Sequence, residues 1–507
     1  MKLKKTKNAV RNIIFGFVYK MIAIFGPFAV RTAIIYVLGN EYTGLNSLFT
    51  SILSFLSLAE LGVGNALVYS MYKPIAEDDE NTICALLNLY RKLYRFIGLI
   101  ILAVGLLLTP FLRFLVKGDV PADTNMYVLY LIYLGNTVIS YVMFAYKQSL
   151  LTAFQRSDII SKRSAVIQLL MYIIQITVLI LAKNYYLYLI WLPVFTVITN
   201  LANSVIVDHM FPQYKCRGEI SAEQKKSITN KVLALFGTKA NSIIMHAADN
   251  IVISAYLGLV ICGQYGNYYY IMNAVCGIMT IVYDSLTAGL GNSLEVDSKE
   301  KIEEHFRIIT FLNAWLVVFC TACLLCLYQP FMEIWVKPKN MLGNEIVLLL
   351  VVYFFVYSIR RIILTYKDAA GIWWEDRLRP YIMIVVNIVS NLILVNIIGL
   401  SGVILSTILS MLVSIPWENY TVFKFVFHST AKQYYLRMLY NTFCCALICA
   451  VTWWLCSLIP HGWTGLVFQI AICVTVSNVL FILLNIKSRD LTASVGFFKN
   501  KLLGRRK

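Results

Sequence analysis

The chain has 507 residues, of which 59% are hydrophobic and only 14% are charged, and its formal net charge is +18. Soluble domains carry roughly 25% charged residues, so the composition excludes a soluble globular protein and indicates a polytopic membrane protein. Such a positive charge would suggest a nucleic-acid partner in a soluble protein. In a membrane protein it points instead to a bias between the loops on the two sides, so we expect no nucleic-acid partner.

Fourteen apolar runs are long enough to cross a bilayer, which takes about 20 residues of helix. They predict an all-α polytopic fold with fourteen transmembrane helices. The first seven predicted spans lie at 12–38, 45–71, 96–116, 127–146, 164–182, 186–207 and 232–257. The other seven lie at 265–290, 308–328, 346–366, 380–398, 402–424, 438–458 and 464–485.

The basic residues are distributed unevenly between the two sides of the predicted membrane. An even number of spans puts both termini on one side, and both termini are rich in Lys and Arg. The loops on the opposite side hold few of the 44 basic residues, namely Arg113, Lys117, Lys183, Lys337 and Lys339. Because cytoplasmic loops carry the excess of Lys and Arg, we predict a multi-pass protein of the cell membrane with both termini in the cytoplasm.

An internal repeat divides the chain. Lys20 recurs as Lys239, GVGNAL at 62–67 as GLGNSL at 289–294, and the pair Tyr146-Lys147 as Tyr366-Lys367, in the same order and at nearly constant offset. Six spans per repeat give two pseudo-symmetric, parallel six-helix bundles, with two additional helices at the C-terminal end. The predicted parts are a first bundle at 1–211, a cytoplasmic linker at 212–231, a second bundle at 232–430, two further spans at 431–486 and a basic cytoplasmic tail at 487–507.

Three cations lie inside predicted spans, where charged side chains are costly and usually functional. Lys20 and Arg31 are eleven residues apart in the first span, so they share one helical face. Lys239 has the position of Lys20 in the second repeat, and two parallel repeats would aim both lysines at a shared central space. We therefore predict that Lys20, Arg31 and Lys239 hold a buried anion. The alternative is that the lysines snorkel to the headgroups or pair with a carboxylate.

Three carboxylates, Glu60, Asp249 and Asp284, also lie inside predicted spans. A carboxyl group in a low-dielectric site is either paired with a cation or protonated, and switching between these states can couple transport to an ion gradient. The three residues are therefore candidate coupling or cavity residues. A fixed ion pair with one of the cations is the alternative.

Further polar residues fall on or near the same helices. His246 and Asn250 follow Lys239 at spacings of seven and eleven residues, so they share its face and are candidate cavity residues. A lone histidine among apolar residues is also typical of a hydrogen-bonded structural role. Arg360 and Arg361, at the inner end of the tenth span, are candidates for a cytoplasmic vestibule or a plain contribution to the charge bias.

No residue pattern predicts a metal, a cofactor or catalysis. Most of the twelve cysteines lie in apolar runs, where cysteine behaves as a small hydrophobic residue. The triplet Cys320, Cys323 and Cys326 has no nearby His or carboxylate in sequence, which favours helix packing over a metal site. The chain contains no Walker motif, so we expect no ATP hydrolysis.

Four stretches carry a resemblance to a known family, namely RTAIIYVLGNEYTGLNSLFTSILSFLSLAELGVGNALVYSMYKPI, DNIVISAYLG, GQYGNYYYI and YKDAAGIWWEDRLRP. They resemble the polysaccharide and O-antigen flippases of the multidrug/oligosaccharidyl-lipid/polysaccharide exporter superfamily. The resemblance implies two six-helix bundles around a central cavity that opens alternately to either side. It also implies a polyprenyl-pyrophosphate-linked oligosaccharide as the substrate, turned from the inner to the outer leaflet, with Lys20, Arg31 and Lys239 as the cations available for its head group.

Two other functions remain open. A multidrug efflux carrier of the same superfamily would share the fold but prefer cationic substrates, against which three cations in the spans argue. A membrane polysaccharide polymerase or glycosyltransferase would need a catalytic group on a substantial external loop, whereas the predicted external loops are short. We therefore expect a transporter and not an enzyme, acting as a monomer on a lipid-linked oligosaccharide among membrane lipids, with a polymerase and glycosyltransferases as further partners.

Overall fold

The computed structural model describes residues 5–60, 62–118 and 120–502. Within these ranges it does not describe the side chains of residues 5–10, 12, 13, 231, 233–235, 238, 242, 288 and 497–502. Every regular element in the described ranges is helical. The chain forms two compact units, Met1–Gly266 and Asn267–Lys507. The last five residues of the predicted basic tail lie outside the described residues.

In the described residues of the first unit there are ten α-helices, which are long where they follow the apolar runs and short where polar turns interrupt them. They are α1 Lys5–Val37, α2 Asn40–Leu56, α3 Val63–Ala76, α4 Glu80–Leu108, α5 Met126–Val142, α6 Gln148–Ala153, α7 Ser157–Ala182, α8 Tyr185–Leu189, α9 Trp191–Met210 and α10 Ala222–Leu257. Within this unit α1 packs along α7, α4 packs on α5, and α10 packs on α2 and α3.

The second unit contains the remaining helices. The first of them, α11 Leu259–Val296, begins in the first unit and continues into the second. The others are α12 Lys299–Val336, α13 Asn344–Ile359, α14 Arg361–Ala370, α15 Arg379–Ile398, α16 Leu400–Val422, α17 Lys432–Ser457, α18 Trp463–Asn485 and α19 Arg489–Leu502. Within this unit α12 is central, because it contacts α13, α17, α18 and α19, while α15 and α16 form a close antiparallel pair.

Side-chain caps begin several helices, because the first backbone N–H groups of a helix have no partner within it. Asp79 accepts a hydrogen bond from the backbone N–H of Thr82 at 3.0 Å at the start of α4. Ser221 and Gln224 form a reciprocal capping box at the start of α10, with both hydrogen bonds at 3.2 Å. These polar caps explain why the two helices begin several residues before their apolar runs.

The described residues contain twelve helices that are long and apolar enough to cross a membrane, or thirteen if the bent pair Met126–Val142 and Ala145–Ala153 is one span. The pair is bent by 46°, and Phe144 at the bend has a left-handed φ of 58°. The remaining predicted span, the seventh at 232–257, is helical as part of α10. It is not among the twelve because Lys239, His246 and Asp249 interrupt its apolar run. The all-α multi-pass fold is confirmed, and the count of fourteen is not.

Candidate functional site

Lys20 lies within the apolar part of α1, the helix that packs along α7. Its side chain is half-buried, and in the described part of the chain it forms no hydrogen bond, ion pair or cation–π contact. A lysine held in this way cannot be explained as half of a fixed ion pair. The pairing alternative that the sequence left open is therefore not observed at Lys20.

Lys239 lies on α10, on a turn where Ala240 is buried. It is half-buried as well, and no partner occurs for its ammonium group among the residues whose side chains are described. Lys20 and Lys239, which are equivalent in the sequence repeat, are thus both half-buried and without a partner in the described chain. Each is partly withdrawn from solvent without a carboxylate partner in the described chain, which costs free energy for a cation in apolar surroundings.

Arg31, the third cation, lies eleven residues after Lys20 on α1 and is held by the start of α11. Its Nη2 donates to the backbone carbonyl of Gly263 at 3.4 Å. A Cβ atom at Gly266 would lie 2.6 Å from the same Nη2, so the absence of a side chain at Gly266 makes room for the guanidinium group. The hydroxyl groups of Tyr185 and Tyr188 lie close enough to Arg31 to interact with it electrostatically. Arg31 is thus fixed by its surroundings, in contrast to the two lysines.

Asn250 joins α10 to α2. Its Nδ2 donates to Ser51 Oγ at 2.9 Å, and its Oδ1 is buried without a hydrogen-bond partner in the described chain. A buried amide oxygen without a donor is costly, so this acceptor is available to a ligand or a water molecule. The structure therefore places the neutral counterpart of Arg31 at a helix contact, with one unsatisfied polar atom.

Asp249 and His246, on the same helix, have different surroundings. Asp249 is buried and accepts a hydrogen bond from the hydroxyl of Tyr265 at 3.4 Å. His246 is exposed on the surface of the first unit. The remaining candidate carboxylate of the sequence analysis, Asp284, is exposed on α11 in the second unit. Asp249 and Asp284 thus lie in different units and differ in exposure.

Glu60 ends a short 3₁₀ turn, Ser57–Glu60, between α2 and α3. Tyr94 donates its hydroxyl to Glu60 Oε1 at 2.6 Å, and the hydroxyl of Tyr90 donates to that of Tyr94 at 3.1 Å. No cation contacts Glu60 in the described ranges, so the fixed ion pair considered from the sequence is not observed here. A Cβ at Gly64 would lie 2.8 Å from the Tyr90 hydroxyl, which explains the glycine at this position.

Arg163 is a further cation within a membrane helix that the sequence did not reveal. It lies in the second turn of α7, and all three of its guanidinium nitrogens are buried without a hydrogen-bond partner in the described chain. The predicted span began at residue 164, which placed Arg163 in a cytoplasmic loop. The helix begins at Ser157, so the residue lies about 10 Å inside it at 1.5 Å per residue. Only a prediction that the helix starts as early as Ser157 would have placed Arg163 inside it.

Arg360 and Arg361 lie at the junction of α13 and α14 in the second unit. Arg360 is buried, and its Nη2 donates to Glu418 Oε1 at 2.6 Å. Arg361 lies over the ring of Tyr283 at 5.8 Å. The predicted vestibule role of both residues is not tested by these contacts, which place Arg360 in an ion pair and leave its Nε buried without a partner.

Glu418 connects Arg360 to a larger network of buried ions. Arg379 Nη1 donates to the same Glu418 oxygen at 2.7 Å, and its Nη2 donates to Asp376 Oδ2 at 2.7 Å. Lys367 Nζ donates to Asp376 Oδ2 at 2.9 Å. Burial alone would raise the pKa of Asp376, but the hydrogen bonds and charges of Arg379 and Lys367 outweigh it, so its pKa is lower than the ordinary value. The network joins α13, α14, α15 and α16.

No protein-family model matches the chain, and no curated protein sequence matches it. Solved structures do. The lipid II flippase MurJ in an inward closed conformation matches with a TM-score of 0.65 and 14% identity, over 95% of this chain and 100% of MurJ. An inward-facing multidrug resistance MATE transporter of the MOP superfamily matches with a TM-score of 0.60 and 14% identity, over 80% of this chain and 97% of the transporter. A MOP superfamily transporter from Pyrococcus furiosus matches with a TM-score of 0.53 and 13% identity, over 81% and 94%.

These likenesses define the class of fold. The chain is an all-α, multi-pass membrane protein with the fold shared by the MurJ flippase and the MATE transporters. The all-α multi-pass fold predicted from the sequence is therefore confirmed. The pseudo-symmetry of two bundles, the division of the chain at 212–231 and the roles of the individual residues stay predictions.

Proposed function

We propose that the chain is a flippase that moves a polyprenyl-pyrophosphate-linked oligosaccharide from the inner to the outer leaflet of the cell membrane by alternating access, for the export of a surface polysaccharide. The main observation in support is that Lys20 and Lys239 are partly buried without an ion-pair partner in the described chain. Both are half-buried, Lys20 on a helix that is apolar enough to cross a membrane and Lys239 on α10, and no described side chain pairs with either of them. Arg31 and Arg163 add positive charge to the same unit.

The chemistry of the substrate explains why such cations would be retained. A pyrophosphate cannot enter hydrocarbon unless other groups replace its water, because an isolated charge costs many kcal/mol there. Cations that are already partly dehydrated and have no internal partner offer attraction without first breaking an ion pair. The resemblance of the sequence to polysaccharide flippases and the MurJ-like fold support an anionic lipid-linked substrate.

The test is the loss of export when the three predicted cations are made neutral. We expect the triple variant Lys20→Gln, Arg31→Gln and Lys239→Gln to abolish surface glycan while leaving the amount of protein in the membrane unchanged. A matched control removes three exposed cations, Lys226→Gln, Lys299→Gln and Lys487→Gln, and should export normally. Normal export by the first variant would contradict the anion site.

A drug-efflux carrier is the second candidate, because MATE transporters share the fold over most of their length. Such a carrier would accept cationic compounds, which the unpaired lysines would repel. We expect cells that overproduce the chain to extrude cationic dyes no faster than cells without it. Efflux that is faster with the chain and is lost in an unfolded variant would favour the carrier.

Coupling to an ion gradient is proposed at Glu60, with Asp249 and Asp284 as the other candidates. Glu60 accepts a hydrogen bond from the hydroxyl of Tyr94 and has no cation in contact with it in the described residues, so no fixed ion pair holds its carboxyl group. We expect Glu60→Gln to abolish any dependence of transport on a proton gradient. Transport by the unaltered protein that ignores both proton and sodium gradients would rule out coupling at all three residues.

The remaining proposals concern the cellular setting. Both termini are placed in the cytoplasm, the active form is a monomer, and the chain itself catalyses no sugar transfer. Glycosyltransferases that build the lipid-linked substrate and a polymerase that consumes it are the partners expected from this chemistry. Elongation of a glycan by the purified protein would contradict the transport proposal.

A further inference from the structure

Four cysteines converge within the second unit, from three different helices. Cys326 of α12, Cys456 of α17 and Cys473 of α18 are buried, and their Sγ atoms all lie within 4.8 Å of one another. The Sγ atoms of Cys456 and Cys473 are 4.0 Å apart. Cys323, one turn before Cys326, also lies within hydrogen-bonding reach of Cys473. Only Cys323 and Cys326 stood out in the sequence, because Cys456 and Cys473 reach them through the fold.

The spacing of these sulfur atoms suits a metal ion. Zinc binds thiolate sulfur at about 2.3 Å, so two sulfurs of a tetrahedral site lie about 3.8 Å apart. The three sulfurs therefore need only small side-chain movements to reach ligand distances. Ordinary packing of small apolar residues does not require sulfurs from three helices to meet at one point. The buried pair Cys445 and Cys449, for comparison, lies on a single helix.

A buried polar group borders the same place. Gln469, one turn before Cys473 on α18, is 4% exposed and donates Nε2 to the carbonyl of Cys456 at 3.2 Å. Its Oε1 is buried and has no hydrogen-bond partner in the described chain. Leaving such an acceptor unpaired costs stability, and a metal ion would satisfy it. This unsatisfied oxygen is independent of the sulfur spacing and points to a missing ligand.

A cavity of about 470 Å³ connects this cluster to the end of the second unit. Cys326, Cys456 and Gln469 line it, together with Asn344 at the start of α13 and His461 in the connection between α17 and α18. The His461 side chain is exposed, and its Nδ1 lies 2.5 Å from Glu333 Oε2. Asn344, His461 and Gln469 thus supply polar groups along a cavity whose lining is otherwise mostly apolar, and this cavity is the path by which a cation would reach the sulfurs.

We propose that Cys326, Cys456 and Cys473 bind one thiophilic metal ion, Zn²⁺, with Gln469 Oε1 as a neutral fourth ligand. Binding displaces the three thiol protons, which leave through the cavity, and the loaded site carries a net charge of −1. A Cu⁺ ion held by the same three thiolates would leave −2, which costs more in an apolar surrounding. The ion would join α17 and α18, the two helices outside the predicted repeat, to α12. This site is independent of the transport function proposed above.

The experiment uses the full-length protein, purified under reducing conditions and stripped with a chelator. Cd²⁺ serves as the optical probe because its thiolate complexes absorb in the ultraviolet, and bound Zn²⁺ is measured by elemental analysis. We expect about one ion per chain, as one set of three thiolates binds one tetrahedral ion. We also expect Zn²⁺ to raise the melting temperature of the stripped protein, because a ligand that binds only the folded state stabilises it.

Variants locate the site. Cys456→Ser and Cys473→Ser should each lower the metal affinity by more than about 10-fold, since even outer-shell changes have effects of 10-fold or more. Cys444→Ser, which alters another buried cysteine of α17, should bind like the unaltered protein. If a serine variant does not fold, metal titrations of the Cys326→Ala variant and of the unaltered protein still test whether the cluster binds metal. Absence of metal binding, equal binding by the cluster variants, or a Cys456–Cys473 disulfide in protein isolated without reductant would overturn the proposal.

Discussion

Arg163 has the most unusual surroundings of any single residue, because its guanidinium group is buried and unpaired in the described chain. A cation kept only for stability would have a partner, since an unpaired buried charge costs several kcal/mol. A role in binding an anionic ligand therefore explains Arg163 better than a role in stability. Replacing it should raise the stability of the protein and lower its transport activity.

We predict that Arg163→Met increases thermal stability, by about 1–4 kcal/mol if it behaves like other replaced buried charges, and decreases glycan export. The measurements are the melting temperature of the purified protein and the surface glycan of cells that produce it. Lys162→Met, at the exposed neighbouring position, is the control and should change neither strongly. A less stable Arg163→Met protein with normal export would show that the arginine is structural.

Gly266 makes a second prediction at the scale of one residue. A Cβ there would lie 2.6 Å from Arg31 Nη2 and 2.9 Å from Ser47 Oγ, so Gly266→Ala must displace the guanidinium group. We expect export to fall while the protein stays folded, because the flexible end of Arg31 can move. Gly135→Ala, where a Cβ meets nothing within 4 Å, is the control and should be neutral or more stable by up to about 1 kcal/mol. Equal export by the two variants would contradict the role of Arg31.

The helices show how far hydropathy predicts structure. The apolar runs located the helices themselves, since twelve of the predicted spans lie in helices that are apolar enough to cross a membrane. They did not predict the 46° bend after α5, because the left-handed residue at the bend is Phe144 and no Gly or Pro marks it. Nor did they predict the 36-residue length of α10, whose first turns are polar and begin at a capping box.

The ion network of the second unit leads to a prediction about four helices together. Asp376 binds Arg379 and Lys367 in buried surroundings, so Asp376→Asn should destabilise the protein by about 3–5 kcal/mol, as expected when a buried ion pair loses one partner. Asp368→Asn is the matched control, because the Asp368 side chain is 41% exposed and lies 3.9 Å from the same lysine. Thermal unfolding of the two variants is the measurement, and similar melting temperatures would contradict the importance of the network.

The pH dependence of the same network follows from Asp376. Its pKa is lower in the folded protein than the ordinary 3.8, because burial, which raises the pKa, is outweighed by Arg379 and Lys367. The unfolded state therefore binds the proton more readily, so the network contributes its full stability above the ordinary pKa and loses it as the pH falls through the folded value. We expect the stability difference between the unaltered protein and Asp376→Asn to be constant from pH 7 to 5 and to shrink only below about pH 4.

At the scale of the whole molecule, the sequence predicted the fold class better than it predicted the surroundings of the candidate site residues. Composition, the apolar runs and the sequence resemblance were enough for an all-α membrane protein, and the MurJ-like and MATE-like structures confirm that fold. The sequence could single out cations where charge interrupts an apolar run, as at Lys20, Arg31 and Lys239, and their role in binding stays a prediction. It could not predict contacts that depend on folding, such as the hydroxyl donor of Glu60, the cysteine cluster and the buried guanidinium group of Arg163.

The central claim is that the chain carries an anionic lipid-linked oligosaccharide across the membrane with the help of these cations. The most direct measurement places the purified protein in liposomes with a fluorescent polyprenyl-pyrophosphate oligosaccharide and follows its appearance in the opposite leaflet. We expect transfer well above that of protein-free liposomes, and transfer at the protein-free rate for the variant with Lys20, Arg31 and Lys239 neutralised. Equal transfer by the unaltered protein and that variant, or no transfer by either, would contradict the proposed function.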